Sequence, residues 1–131
     1  MPKPSKATEK WFDLAMKTAA LSTVKGYQHG AVIVANSRPL VLGINSHCTH
    51  PRSFSPWTQH AEFSAIIKVG TDFLHDRRTT LFSARIGPGG IPRMSKPCSK
   101  CMRWIREANI RKVVWWDRNS EQIEIANVRD L

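Results

Sequence analysis

The stretch "RKVVWWDRNSEQIEIANV", Arg111 to Val128, decides how the chain ends. It holds two apolar runs separated by about six residues, Asp117 to Gln122. A parallel return beside the first run needs a crossover of a dozen or more residues, so the second run comes back antiparallel. The spacing therefore predicts strand, short turn and antiparallel strand. Trp115 and Trp116 fall on opposite faces of the first strand, because successive strand side chains alternate.

Working outward, "TTLFSARI", Thr79 to Ile86, is a further strand, and Cys98 to Asn109 is a helix turning Cys101, Met102, Ile105 and Ala108 inward. Between them "GPGGIPRMSKP" reads as a mobile loop. His60 to Val69 is a second helix, with Phe63, Ile66 and Ile67 on its buried side and Gly70 as its stop. The irregular "SHCTHPRSFSPWTQ" that precedes it is long enough to suggest function. Gly30–Ala35 and Leu40–Ile44 are β-branched runs joined by the turn-forming "NSRP", an antiparallel hairpin. At the start, Lys6 to Ser22 spaces Trp11, Phe12, Ala15, Met16 and Ala19 at threes and fours, an amphipathic helix with Gly26 after it. Helix, two strands, helix, strand, helix, two strands makes a three-layer α/β/α sandwich around a mixed sheet of about five strands.

A chain of 131 residues has the size of one domain, here taken as residues 1–131 with one core. Apolar residues make up 41% and charged residues 23%, the balance of a folding chain. No apolar run is long enough to span a bilayer and "MPKPSKATEK" lacks a secretory core, so an intracellular protein with no membrane partner is expected. Three cysteines, two of them in CxxC spacing, favour a reduced compartment, by default the cytoplasm. The net charge of +10 suits a polyanion or a phosphorylated small molecule. Eight basic residues between Arg85 and Lys112 face one acid, Glu107; a solvated face is the bland alternative.

The chemistry sits at two helix mouths. Cys98 and Cys101, three apart, lie on one face, where helix-start amides favour thiolates, and Pro97 suits the start itself. If the two helix starts meet, His60 is a third ligand. Three protein ligands leave one zinc position open to water, whose proton then needs an acceptor. Glu62 serves if His60 belongs to the entering turn and Glu62 to the first helical turn. Alone, the cysteines could be a redox pair or half a structural zinc site, though no second CxxC is present for a zinc ribbon; His60 alone could be a core residue, and Glu62 a charge answering the helix dipole.

Together, His60-Ala61-Glu62 and Pro97-Cys98-Ser99-Lys100-Cys101 form H-x-E…P-C-x-x-C, and the chain resembles the zinc-dependent cytidine and deoxycytidylate deaminase superfamily from about His29 to Trp116. The resemblance implies a cytidine deaminase-like fold, one catalytic Zn2+ per chain held by His60, Cys98 and Cys101, and hydrolytic loss of ammonia with Glu62 moving protons. It further implies a sugar contact at Asn45, a base contact at the backbone of Ala61, and a homo-oligomer. Ser64 stands where deoxycytidylate deaminases usually carry asparagine. The antiparallel last strand is nearer the free-cytidine branch.

Trp57 and Arg85, with Phe54, Arg52, Arg93 and Lys96, are expected from the two loops to stack a base and hold phosphate. Three functions follow for test. The first is deamination of cytosine in a (deoxy)cytidine nucleoside or nucleotide such as dCMP. The second is deamination of cytosine or adenine in single-stranded DNA, RNA or tRNA, and the third a non-catalytic zinc-containing nucleic-acid-binding protein. His47, Cys48 and His50 are weighed as a second metal site against simple packing of Cys48. His29 is read as a hydrogen-bonded structural histidine and His75, beside Asp76, as a surface one.

Overall fold

The computed structural model describes residues 5–24, 26–46, 60–69 and 78–131. Helix α1 (Lys6–Ala19) starts at Ser5, whose hydroxyl oxygen accepts the amide of Thr8 at 3.1 Å. That cap satisfies one of the four amides a helix start leaves open. The helix ends at Ala19, short of Ser22, which instead turns its hydroxyl to Asn45. Strands β1 (Gln28–Ala35) and β2 (Arg38–Ile44) pair antiparallel. Asn36 and Ser37 join them at φ 52° and 63°, the left-handed pair that matches the twist of a two-residue hairpin.

Helix α2 (Ala61–Val69), strand β3 (Thr79–Ile86), helix α3 (Ser99–Glu107) and strands β5 (Lys112–Asp117) and β6 (Gln122–Asn127) follow the expected order. The segment read as a mobile loop differs. It makes a tight turn at Pro88–Gly90 and then a short strand β4 (Pro92–Arg93) that pairs with the end of β3. Ser95 is pinned as well, donating its hydroxyl to the carbonyl of Ser83 at 2.7 Å and accepting the amide of Trp116 at 2.9 Å. Cross-strand partners that sequence spacing cannot reveal hold this approach to α3.

The sheet runs β2-β1-β3-β5-β6, with β4 beside β3. Among the described strands only β3 and β5 are parallel, and α3 is their crossover. β6 returns antiparallel from Lys112↔Asn127 to Asp117↔Gln122, as the connection length required. Ala31, Ile33, Leu81 and Val113 pack under α2 and α3, while Val32, Val34, Phe82 and Val114 pack under Phe12 and Ala15 of α1. These are the three layers. Trp115 joins the first face and Trp116 the second. Ile67 corrects the sequence reading: it is 37% exposed, because Phe63 and Ile66 take the inward direction and the next residue turns about 100° away.

Two strand glycines set how close the helices lie. A Cβ on Gly43 would stand 2.5 Å from the Ala61 oxygen and 2.6 Å from the Ala65 nitrogen, and one on Gly30 would stand 2.6 Å from the Ala15 oxygen. Both neighbours are helix backbone and cannot yield without moving a layer. Gly43→Ala is expected to lower stability by about 1–3 kcal/mol, as overpacking does. Chemical denaturation of the variant checks this; unchanged stability would mean that α2 does not rest on that glycine.

Candidate metal centre and active site

His60 lies one residue before α2, and its carbonyl accepts the amide of Ser64 at 2.9 Å, the first turn of the helix. Its side chain thus leaves from the entering turn, whereas Glu62 leaves from the first turn and is 1% exposed. Cys98 occupies the corresponding place on α3. It is the N-cap residue, and its sulfur accepts the amide of Cys101 at 3.5 Å. The Phe63 and Trp104 rings, 5.0 Å apart, pack the two helices together.

His60, Cys98 and Cys101 bring their donor atoms within 4.8 Å of one another. His60 Nδ1 is 3.3 Å from Cys101 Sγ and 3.8 Å from Cys98 Sγ. Tetrahedral zinc, with bonds of roughly 2.3 Å to sulfur and 2.0 Å to nitrogen, separates such donors by about 3.5 Å. One nitrogen and two sulfurs are also the donor chemistry zinc favours, so the residues fit the ion. Among the described residues no fourth His, Cys, Asp or Glu joins the group.

Electrostatics points the same way and corrects one expectation. Burial pushes the Cys101 thiol far up, and Glu62 and Cys98 push it further. For Cys101 this burial, with the Glu62 and Cys98 charges, outweighs the pull of the helix-start amides. A divalent cation supplies the offsetting charge. His29 lies on the far side of Glu62, its Nε2 at 3.1 Å from Glu62 Oε1 and at 2.8 Å from Ser83 Oγ. Burial holds its imidazole below the usual range; Glu62 opposes this shift, and Arg85 and His60 add to it.

A cavity of about 380 Å³ opens over these groups, lined by His60, Cys98, Glu62 and His29 and also by Tyr27, Asn45, Arg85 and Lys96. Asn45 is buried: Nδ2 donates to the Tyr27 carbonyl at 2.6 Å, and Oδ1 accepts the His29 amide at 3.0 Å and the Ser22 hydroxyl at 2.6 Å. The Arg85 guanidinium lies 3.8 Å over the Tyr27 ring and donates to the Met94 carbonyl at 3.2 Å.

Ala61 is buried at the start of α2, beside β2. Arg93 does not line the cavity. Trp57, Phe54, Arg52, His47, Cys48, His50, His75, Asp76 and Gly70 lie outside the described residues. Sequence reasoning missed Tyr27 and gave His29 only a structural role. Their signal is weak, a tyrosine before a strand and a histidine in it, and depends on the β1–β3 register that sets His29 opposite Arg85.

The family model for the cytidine and deoxycytidylate deaminase zinc-binding region matches residues 5–116. Solved structures of similar fold include the cytidine deaminase of Burkholderia pseudomallei, 14% identical over 93% of each chain at a TM-score of 0.69. The dCMP deaminase of the cyanophage S-TIM5, solved with dCMP and dUMP, is 24% identical over 86% of this chain and 82% of its own, at a TM-score of 0.63. The cytidine deaminase of Mycobacterium leprae is 15% identical over 91% of each chain, at a TM-score of 0.60. No curated protein sequence matches.

Proposed function

We propose that this chain, which belongs to the cytidine and deoxycytidylate deaminase family, hydrolyses the amino group from cytosine in a (deoxy)cytidine nucleoside or nucleotide such as dCMP, leaving uracil and ammonia. One observation carries the reading. Beside the three-donor group of His60, Cys98 and Cys101 stands a carboxylate, Glu62, that is 1% exposed and whose Oε1 has no directed hydrogen bond. A purely structural zinc site has no use for such a group.

His60, Cys98 and Cys101 would hold zinc, which makes a coordinated water acidic enough to lose its proton near neutral pH. Glu62 receives that proton and delivers it to the ring nitrogen beside the reacting carbon. As the water's oxygen bonds to the amino-bearing carbon, that carbon gains a hydroxyl; Glu62 then moves the hydroxyl proton to the amino group, the C–N bond breaks, ammonia leaves and the oxygen remains as the uracil carbonyl.

The cavity, about 380 Å³, falls in the size range of small-molecule sites, roughly 300–1,000 Å³. Asn45, with its oxygen committed and one amide hydrogen left, can offer that hydrogen to a sugar hydroxyl. Trp57 and the backbone of Ala61 are the further base contacts in this reading. Arg85 and Lys96 supply the cations for a 5′-phosphate, and the cyanophage dCMP deaminase of similar fold holds dCMP. Arg85→Ala is expected to raise KM for the monophosphate about 10- to 100-fold, the loss of one charge-assisted hydrogen bond, and to leave KM for the nucleoside nearly unchanged. Equal effects on both would remove the phosphate contact.

A second reading, a polynucleotide substrate, draws on a separate cleft lined by Arg106, Arg111, Lys112 and Arg129. Turnover of cytidine, deoxycytidine, their monophosphates and a single-stranded oligonucleotide separates the two. Ammonia from the monomers is the expected result; activity confined to the oligonucleotide would reverse the order.

A further inference from the structure

The hydroxyl of Ser83 donates to the Ser95 carbonyl at 2.7 Å. A carbonyl can only accept, so the single hydroxyl proton of Ser83 is used there. Ser83 Oγ must then accept from His29 Nε2 at 2.8 Å, which makes Nε2 the protonated nitrogen of the ring. The ring is fixed from the other side through its backbone. The His29 amide donates to Asn45 Oδ1 at 3.0 Å, and its carbonyl accepts the Asn45 amide at 3.2 Å. His29, Ser83 and Ser95 are all buried, with Ser83 wholly so.

Glu62 Oε1 sits 3.1 Å from the same Nε2, yet has no directed hydrogen bond, because the N–H points to Ser83. The oxygen is therefore attracted by the positive edge of the ring without giving up a lone pair to it. The contact fixes where the oxygen sits while leaving its lone pairs open to a proton from the substrate side. Burial lowers the pKa of the ring, which favours its neutral form, although the Glu62 charge opposes this.

We propose that His29 is a positioning residue for Glu62, its Nε2–H edge holding one carboxylate oxygen in the cavity wall and, through Ser83 and Ser95, tying that oxygen to the segment that leads into Cys98. This rests on the reading of Glu62 as the proton carrier. Ser95 stands three positions before Cys98, so the base and one metal-ligating residue share a support.

The test has two arms on the full chain. In the first, zinc-loaded His29→Leu is expected to lose about 10- to 100-fold in kcat, the usual cost of removing a support behind a metal site, with KM moving less than about threefold. His29→Gln, which places an amide N–H near the position of Nε2, is expected to recover most of the loss. In the second, ¹⁵N NMR of the wild-type imidazole at pH 7 should show Nε2 protonated and Nδ1 bare, with the Nε2 resonance moving in Glu62→Gln. Full kcat in the leucine variant, a glutamine variant no better than leucine, or an Nδ1–H tautomer would each overturn the proposal. A wild-type protein that carries zinc but releases no ammonia would sink the reading of Glu62 instead, and the NMR arm would still decide whether His29 holds it.

Discussion

Glu62→Gln is expected to lower ammonia release about 10²- to 10⁴-fold, the range that general acid–base groups contribute, while zinc content stays at the wild-type value. The separation of these two readouts follows from where Glu62 stands. It belongs to the first turn of α2 and is buried beside the donor group formed by His60, Cys98 and Cys101, without being one of the three. Glutamine keeps the volume and a carbonyl oxygen but cannot take and return a proton near neutral pH. Folding should survive, because the amide is easier to bury than the charge it replaces. Zinc analysis beside an ammonia assay checks this. A rate unchanged within a few-fold would return the proton-carrying role to some other group and revive the non-catalytic reading.

Cys101→Ser should remove zinc and activity together. Cys101 is fully buried, and burial with the Glu62 and Cys98 charges raises its thiol well above the usual range when no cation is present. Metal binding therefore couples to release of the Cys101 thiol proton. The loss of affinity should exceed the roughly 10- to 100-fold seen when an outer hydrogen-bond partner is removed, since a ligand itself is gone. The same coupling reaches stability. Zinc at 100 times its Kd should stabilise the wild type by about 2.7 kcal/mol, and a chelator should remove that gain. For a chain of this size the shift in Tm is about 10 °C. Thermal melts with zinc and with chelator test this, and Cys101→Ser should show no zinc-dependent shift. A variant that keeps stoichiometric zinc would exclude Cys101 as a ligand.

The donor group was legible in the sequence because helix mouths are local features. Pro97 and the CxxC spacing mark one start, and the two-residue separation of His60 and Glu62 makes sense only if one precedes the helix and the other begins it. The direction of β6 was legible for a related reason: a six-residue connection cannot cross over. Features set by strand register were not. His29 and Glu62 are 33 positions apart and meet because β1 pairs with β3 on one side while α2 packs across β1 and β2. The Gly87–Lys96 segment reads as loose from its glycines and prolines, yet Ser83, Ser95 and Trp116 hold it through hydrogen bonds from two other strands. Ile67 shows the limit of periodicity, which gives the apolar side of α2 but not where the covering layer stops. The upward shift of the Cys101 thiol needs both its burial and its neighbours, and neither is visible in a spacing.

The most direct test of the central claim is the zinc X-ray absorption spectrum of the reconstituted chain. Two sulfur scatterers at about 2.3 Å and two nitrogen or oxygen scatterers at about 2.0–2.1 Å are expected, from Cys98, Cys101, His60 and one solvent molecule. A shell of three or four sulfurs would mean a closed structural centre, and one sulfur would mean that the two helix mouths do not share a metal; either result contradicts the account.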